Sequence, residues 1–132
     1  MHKDSMLKIT LQQLQSHFAG DEWPIMLSLD EEDNQCSIQL DIKSDIRWFE
    51  GHFPGQPVLA GVVQTHWAGE LSKYIFPVGD DFQRIDNLKF QSVILPDINL
   101  ALKLVYLPNK NAVKFSYTDS DNNYSTGTLV FA

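Results

Sequence analysis

Between residues 36 and 43 the chain alternates strictly, with Cys36, Ile38, Leu40 and Ile42 apolar and Ser37, Gln39, Asp41 and Lys43 polar. A period of two places the apolar set on one face of a strand. The same period runs through Ile98, Leu100, Leu102, Leu104 and Tyr106, and again through Val113, Phe115 and Tyr117. Turn residues at Pro108–Asn111 and Asp119–Asn123 join these runs to a last strand, Tyr124–Phe131. Two further strands are predicted, Pro24–Asp30 before an acidic turn at Glu31–Asn34, and Arg84–Leu95. The helical period appears twice. Thr10 as cap, Leu11, Leu14 and Phe18 on one face and Gly20 as stop predict a short helix over about residues 10–19. From Leu59 to Phe76 the apolar positions Val62, Val63, Trp67, Ala68, Leu71, Tyr74, Ile75 and Phe76 leave only a thin polar stripe, and Pro77 and Gly79 end the run. A helix apolar nearly all round is one that other structure wraps. The sum is α+β: an antiparallel sheet curling around one long central helix, in a single domain over residues 1–132.

Composition changes the picture mainly by exclusion. With 43% hydrophobic and 20% charged residues, the 132-residue chain has ordinary globular chemistry. The lone Cys36, lying within an apolar face, excludes a disulfide framework and a multi-cysteine metal site and reads as core. His2, His17, His52 and His66 have no metal-site spacing, so no metal is expected. No run of about 18 apolar residues is present, so no membrane span is expected. The polar-interrupted N-terminus lacks the apolar core of a signal peptide, which predicts a cytoplasmic protein. A formal charge of −7, with its ten basic residues scattered, opposes binding to nucleic acid.

Candidate chemistry concentrates in Glu50-Gly-His-Phe-Pro-Gly-Gln-Pro-Val-Leu-Ala-Gly-Val-Val-Gln-Thr-His66. Its prolines and glycines make a shaped loop presenting His52, followed by a helix whose first turn holds Gly61. Free N–H groups at a helix start, with no Cβ on Gly61, suit an anion or a carbonyl oxygen. A histidine beside such a site is equipped to remove a proton next to a polarised carbonyl. On residue types alone, a turn histidine with packing glycines fits equally well.

The stretch His52-Phe-Pro-Gly-Gln-Pro-Val-Leu-Ala-Gly-Val-Val resembles the His-Phe-Pro-x-x-Pro-Val-x-Pro-Gly signature of hotdog-fold 3-hydroxyacyl-(acyl carrier protein) dehydratases. Ile85-Asp-Asn-Leu-Lys-Phe-Gln resembles the strand after the family's helix, and the likeness covers about residues 20–132. Within that family the chain is most similar to the dehydratases of aryl polyene pathways. The resemblance implies a hotdog fold and reversible dehydration of a 3-hydroxyacyl thioester to the trans-2-enoyl thioester, in fatty acid or aryl polyene type biosynthesis. It implies no metal or redox cofactor, and a substrate that arrives on the phosphopantetheine of an acyl carrier protein. It also implies a homodimer, or a hetero-oligomer with another hotdog subunit, each site drawing its histidine and its helix acid from different subunits. By the same resemblance His52 removes the C2 proton, and the Gly61 and Val62 amides bind the thioester carbonyl.

Three positions depart from the pattern. Fourteen residues after His52, where the family carries Glu or Asp to expel the hydroxyl, this chain has His66. One turn later it has Glu70 in place of Gln, and Ala60 stands in place of the signature's last proline. His66 and Glu70 are i and i+4 and meet on one helix face. A carboxylate there favours a charged imidazole, which would serve as the missing acid; the alternative is a neutral structural pair and a lost acid function. Arg47, Lys73, Arg84 and Lys89 are, by position only, the candidate contacts for an acidic carrier protein. Two other functions stay open: a catalytically weak hotdog subunit that binds acyl chains or a partner enzyme, and an acyl thioesterase.

Overall fold

The computed structural model describes residues 9–50 and 57–132; His52 and its neighbours from 51 to 56 lie outside the described residues. Helix α1 spans Leu11–His17. The Thr10 hydroxyl accepts from the Gln13 backbone N–H at 3.1 Å, and the Gln13 side chain accepts from the Thr10 N–H at 2.8 Å. Two helix-start groups are thereby satisfied reciprocally. Strands β1 (Ile25–Glu32) and β2 (Gln35–Ile42) follow, then the long helix α2 (Gly61–Ile75). Strands β3 (Phe82–Phe90), β4 (Ile98–Leu107), β5 (Ala112–Thr118) and β6 (Asn123–Phe131) complete the chain.

The six strands form one sheet in the order β1-β2-β4-β5-β6-β3, antiparallel at every step. Alternation sends Ile38, Leu40, Leu100, Leu102, Leu104, Phe115, Tyr117 and Leu129 to the inner face, where all are buried. Against them α2 lays Val63, Trp67, Ala68, Leu71 and Ile75. Trp67 is fully buried and donates its indole N–H to the Glu22 carbonyl at 2.9 Å, so the core's largest side chain leaves no polar atom unpaired. Tyr74 turns instead towards α1, stacking on His17 and meeting Phe18 edge-on. Cys36 is core: burial, with the Glu31 carboxylate adding to it, pushes its thiol up to about 12, away from any nucleophilic role.

The structure corrects three boundaries. β1 runs on to Glu32, and the expected acidic turn shrinks to two residues, with Asn34 in the left-handed region at φ 58°. α2 starts at Gly61 and not Leu59, because the Leu59 N–H and C=O are spent on Ile94 and Gln64. β3 stops at Phe90 and not Leu95. The Gln91 and Ser92 N–H groups both turn to the Tyr124 carbonyl, and the following segment folds under to bury Ile94.

Within β3 the register shifts between Asp86 and Lys89, and Asn87 takes φ 56°. This is a β-bulge, two residues opposite one, and it resets which side chains face inward. Ile85 faces in, Asp86 out; after the bulge Lys89 faces out beside Thr126, and Phe90 faces in beside Ser125. An unbroken alternation from Ile85 would have turned Lys89 inward.

Candidate active site

A cleft of about 250 Å³ lies between α2 and the β3–β6 edge of the sheet. One wall is the outward face of the helix: Val62, Thr65, His66, Gly69, Glu70 and Lys73. The other is Phe82, Ile85, Leu129 and Phe131. One long wall is therefore apolar, and the titratable groups line the helix side.

Val62 stands at one end of this wall, and Gly61, the first residue of α2, immediately precedes it without lining the cleft itself. The cap position is Ala60, which offers no side-chain hydrogen bond, and the Ala60 carbonyl accepts only from Val63 and Gln64. Among the described residues the Gly61 and Val62 amides therefore have no acceptor. Uncapped N–H groups at the positive end of a 15-residue helix are a polarised oxygen-binding feature. The space over Gly61 is not open. A Cβ there would lie 2.5 Å from the tip of the Phe90 ring. Gly61 thus lets Phe90 rest on the helix start, a contact that the bulge at Asn87 makes possible. A side chain at 61 was expected to obstruct the carbonyl directly; the Cβ direction leads first to Phe90.

His66 lies five residues along α2 from Gly61, about 7.5 Å along the axis. Its ring is exposed to the cleft and stacks on Trp23, centroids 5.5 Å apart at 24°. Neither ring nitrogen has a hydrogen-bond partner among the described residues, so both are available to a ligand. Glu70 shares this face, but its carboxylate meets the Lys73 ammonium at 2.7 Å and makes no ion pair with His66. The carboxylate–imidazole pair expected from spacing is replaced by Glu70–Lys73 on one side and His66–Trp23 on the other. Trp23 was missed in the sequence because no helical or strand spacing connects it to position 66. The Glu22 carbonyl, accepting the indole N–H groups of both Trp48 and Trp67, holds it there.

The four expected carrier-protein contacts do not form one patch. Arg47 is paired with Asp21 at 3.3 Å and Glu22 at 3.0 Å, and Arg84 with Asp86 at 2.9 Å. Lys73 is within the cleft. Lys89 faces the opposite side of the sheet, alongside Lys103 and Lys114. Among the described residues no three His, Cys, Asp or Glu side chains gather as metal ligands, and no helix is long and apolar enough to cross a membrane.

The model of the ApeI dehydratase family matches residues 28–128. The chain belongs to the ApeI-like dehydratase family. Among solved structures it is similar to the dehydratase heterocomplex ApeI:P from Xenorhabdus doucetiae, at 32% identity and TM-score 0.77, over 83% of this chain and 98% of that one. It is also similar to an uncharacterized protein from Erwinia carotovora subsp. atroseptica, at 33% identity and TM-score 0.72, over 83% and 96% of the two chains. Zebrafish thioesterase superfamily member 2 matches at 10% identity and TM-score 0.65, over 94% and 98%, a likeness of fold alone. No curated protein matches. The antiparallel sheet with its packed helix is the hotdog fold, as the signature at 52–63 implied.

Proposed function

We propose that this ApeI-like dehydratase acts on a 3-hydroxyacyl thioester carried by an acyl carrier protein and releases the trans-2-enoyl thioester, in fatty acid or aryl polyene type biosynthesis. The observation that carries the reading is the helix itself: among the described residues, two amides without an acceptor stand at its start, and a histidine without a hydrogen-bond partner lines the cleft further along. The thioester oxygen accepts from the Gly61 and Val62 N–H groups, which lowers the energy of the enolate-like state. His52 takes the C2 proton, the role its place in the signature implies, and comes from the other subunit than the His66 acting on the same substrate. His66, acting as the acid, gives a proton to the C3 hydroxyl as the C3–O bond breaks and the C2=C3 bond forms. Water leaves, and the proton held at His52 returns through solvent. The C2–H and C3–O bonding electrons end in the new double bond and the departing water with no net oxidation or reduction, so the reaction calls for no redox cofactor, and the reading assigns it no metal.

The reading includes a second hotdog subunit. Among the described residues β3 is an edge strand, hydrogen-bonded to β6 on one side alone; its end residues Phe82 and Phe90 are 46% and 50% exposed, and Val62 on α2 is 74% exposed. Such an edge calls for cover. A partner chain there would close the cleft and exclude water from it.

The test is incubation with a 3-hydroxyacyl carrier-protein thioester, followed by mass spectrometry of the acyl group. Loss of water is the expected outcome. Release of the free acid would make the protein a thioesterase, and unchanged substrate in the presence of its partner subunit would make it an acyl-binding subunit.

A further inference from the structure

Among the described residues the polar side chains of Gln64 and Ser125 are buried to 3% exposure or less, and they meet. Ser125 donates its hydroxyl to the Gln64 side-chain oxygen at 2.6 Å. The Gln64 side-chain amide donates to the Leu59 carbonyl at 3.1 Å, just before the helix. Tyr117, fully buried, donates to the Gln64 backbone carbonyl at 2.7 Å. Burial pushes its phenol well above the usual range, so it remains a donor throughout working pH.

These contacts converge on one turn. Leu59 is held through the peptides on both sides of it, the N–H of the 58–59 peptide by the Ile94 carbonyl at 2.8 Å and the C=O of the 59–60 peptide by Gln64. Tyr117, Ser125 and Phe90 lie on one row across β5, β6 and β3. The first two reach Gln64, and the third covers Gly61. A core concerned only with stability has no need of a buried amide here, since well-packed apolar groups of the same shape do as well. What the amide adds is direction. Fixing the plane of the 59–60 peptide fixes where the next two N–H groups point.

We infer that Gln64, oriented by Ser125 and Tyr117, is a positioning residue that aims the Gly61 and Val62 amides into the cleft. The inference rests on the dehydratase reading for its kinetic consequence, but not for its structural one.

The test uses Gln64→Met, which keeps the length and removes the hydrogen bonds, and Ser125→Ala, which removes only the orienting hydroxyl. Ser72→Ala is the control, since Ser72 is equally buried on α2 but bonds only to the Ala68 carbonyl at 2.7 Å. In both test variants the Gly61 and Val62 amide resonances should shift and their hydrogen exchange change, while those of β2 and β4 stay put. Dehydration kcat should fall about tenfold to a hundredfold with KM within about twofold, the scale of a misaimed catalytic group. Ser72→Ala should leave both readouts as in the parent. Unmoved Gly61 and Val62 amides in Ser125→Ala and in folded Gln64→Met would overturn the inference. So would a fall in kcat matched by Ser72→Ala. If Gln64→Met does not fold, Ser125→Ala alone decides by the same amides. A parent with no dehydratase activity would refute the functional reading, and the amide measurement would still decide this one.

Discussion

The two faces of α2 are built to different rules. The sheet-side face carries Val63, Gln64, Trp67, Ala68, Leu71, Ser72 and Ile75, every one buried, with each polar side chain among them hydrogen-bonded. The cleft face carries Val62, Thr65, His66, Gly69, Glu70 and Lys73, with Val62 74% exposed and His66 without a hydrogen-bond partner among the described residues. A helix with a mostly apolar circumference was expected to be wrapped all round. It is wrapped on the sheet side and, through Tyr74, against α1. The remaining face is open, and its residue types suit a ligand and a partner better than a core. The difference teaches that the same amphipathic signal conceals two kinds of burial, one completed within the chain and one awaiting another molecule.

The largest expected effect breaks the buried face. Trp67→Ala removes a fully buried indole and its bond to the Glu22 carbonyl, at a cost of about 3–5 kcal/mol. Chemical denaturation should show that loss directly. Because the Glu22 carbonyl also supports the segment carrying Trp23, the His66 resonances should shift as well. A stability loss under about 1 kcal/mol would mean the core is not organised around Trp67.

Next in size is the boundary between the faces. Gly61→Ala drives a Cβ into Phe90, so it should lower activity by displacing the ring and disturbing the helix start. The half-exposed Phe90 has room to move, so the stability cost should stay near 1 kcal/mol. Adding Phe90→Ala should recover part of the lost turnover. Equal activities in the single and double variants would show that the methyl group obstructs the carbonyl site itself.

The smallest effect belongs to Glu70. Its partner is Lys73, both partly exposed, and such i,i+3 pairs contribute only about 0.2–0.5 kcal/mol. Glu70→Gln should therefore change melting temperature and turnover little. A pronounced shift in the alkaline limb of its pH–rate profile would restore the direct His66–Glu70 coupling that their spacing suggests.

Most of the sheet was legible because β2, β4 and β5 each bury one face, where a period of two is unambiguous, and the turn at Asp119–Asn123 placed β6 after them. α2 was legible from its length and from the glycine and prolines around it. The end of β3 was not, because Phe90-Gln-Ser-Val-Ile-Leu95 reads as strand while two of its N–H groups are claimed by a single carbonyl. Nor was the bulge at Asn87, since asparagine tolerates the left-handed region without requiring it. At the site, the i,i+4 spacing placed His66 and Glu70 on one face correctly but did not fix which neighbour Glu70 would choose. Lys73, read by position only as a candidate carrier-protein contact, is the neighbour it chose. The Gln64–Ser125–Tyr117 cluster joins residues 53 and 61 positions apart, a separation that no local pattern encodes.

The central claim is that the open face of α2 works as the acid-bearing wall of a dehydratase site. Turnover of a 3-hydroxyacyl carrier-protein thioester by His66→Ala tests it most directly, measured beside the parent at matched folded concentration. The ring is exposed, so the variant should melt within a few degrees of the parent, while enoyl product forms at least about a hundredfold more slowly. An unchanged rate in His66→Ala would contradict the account and require another group to supply the proton.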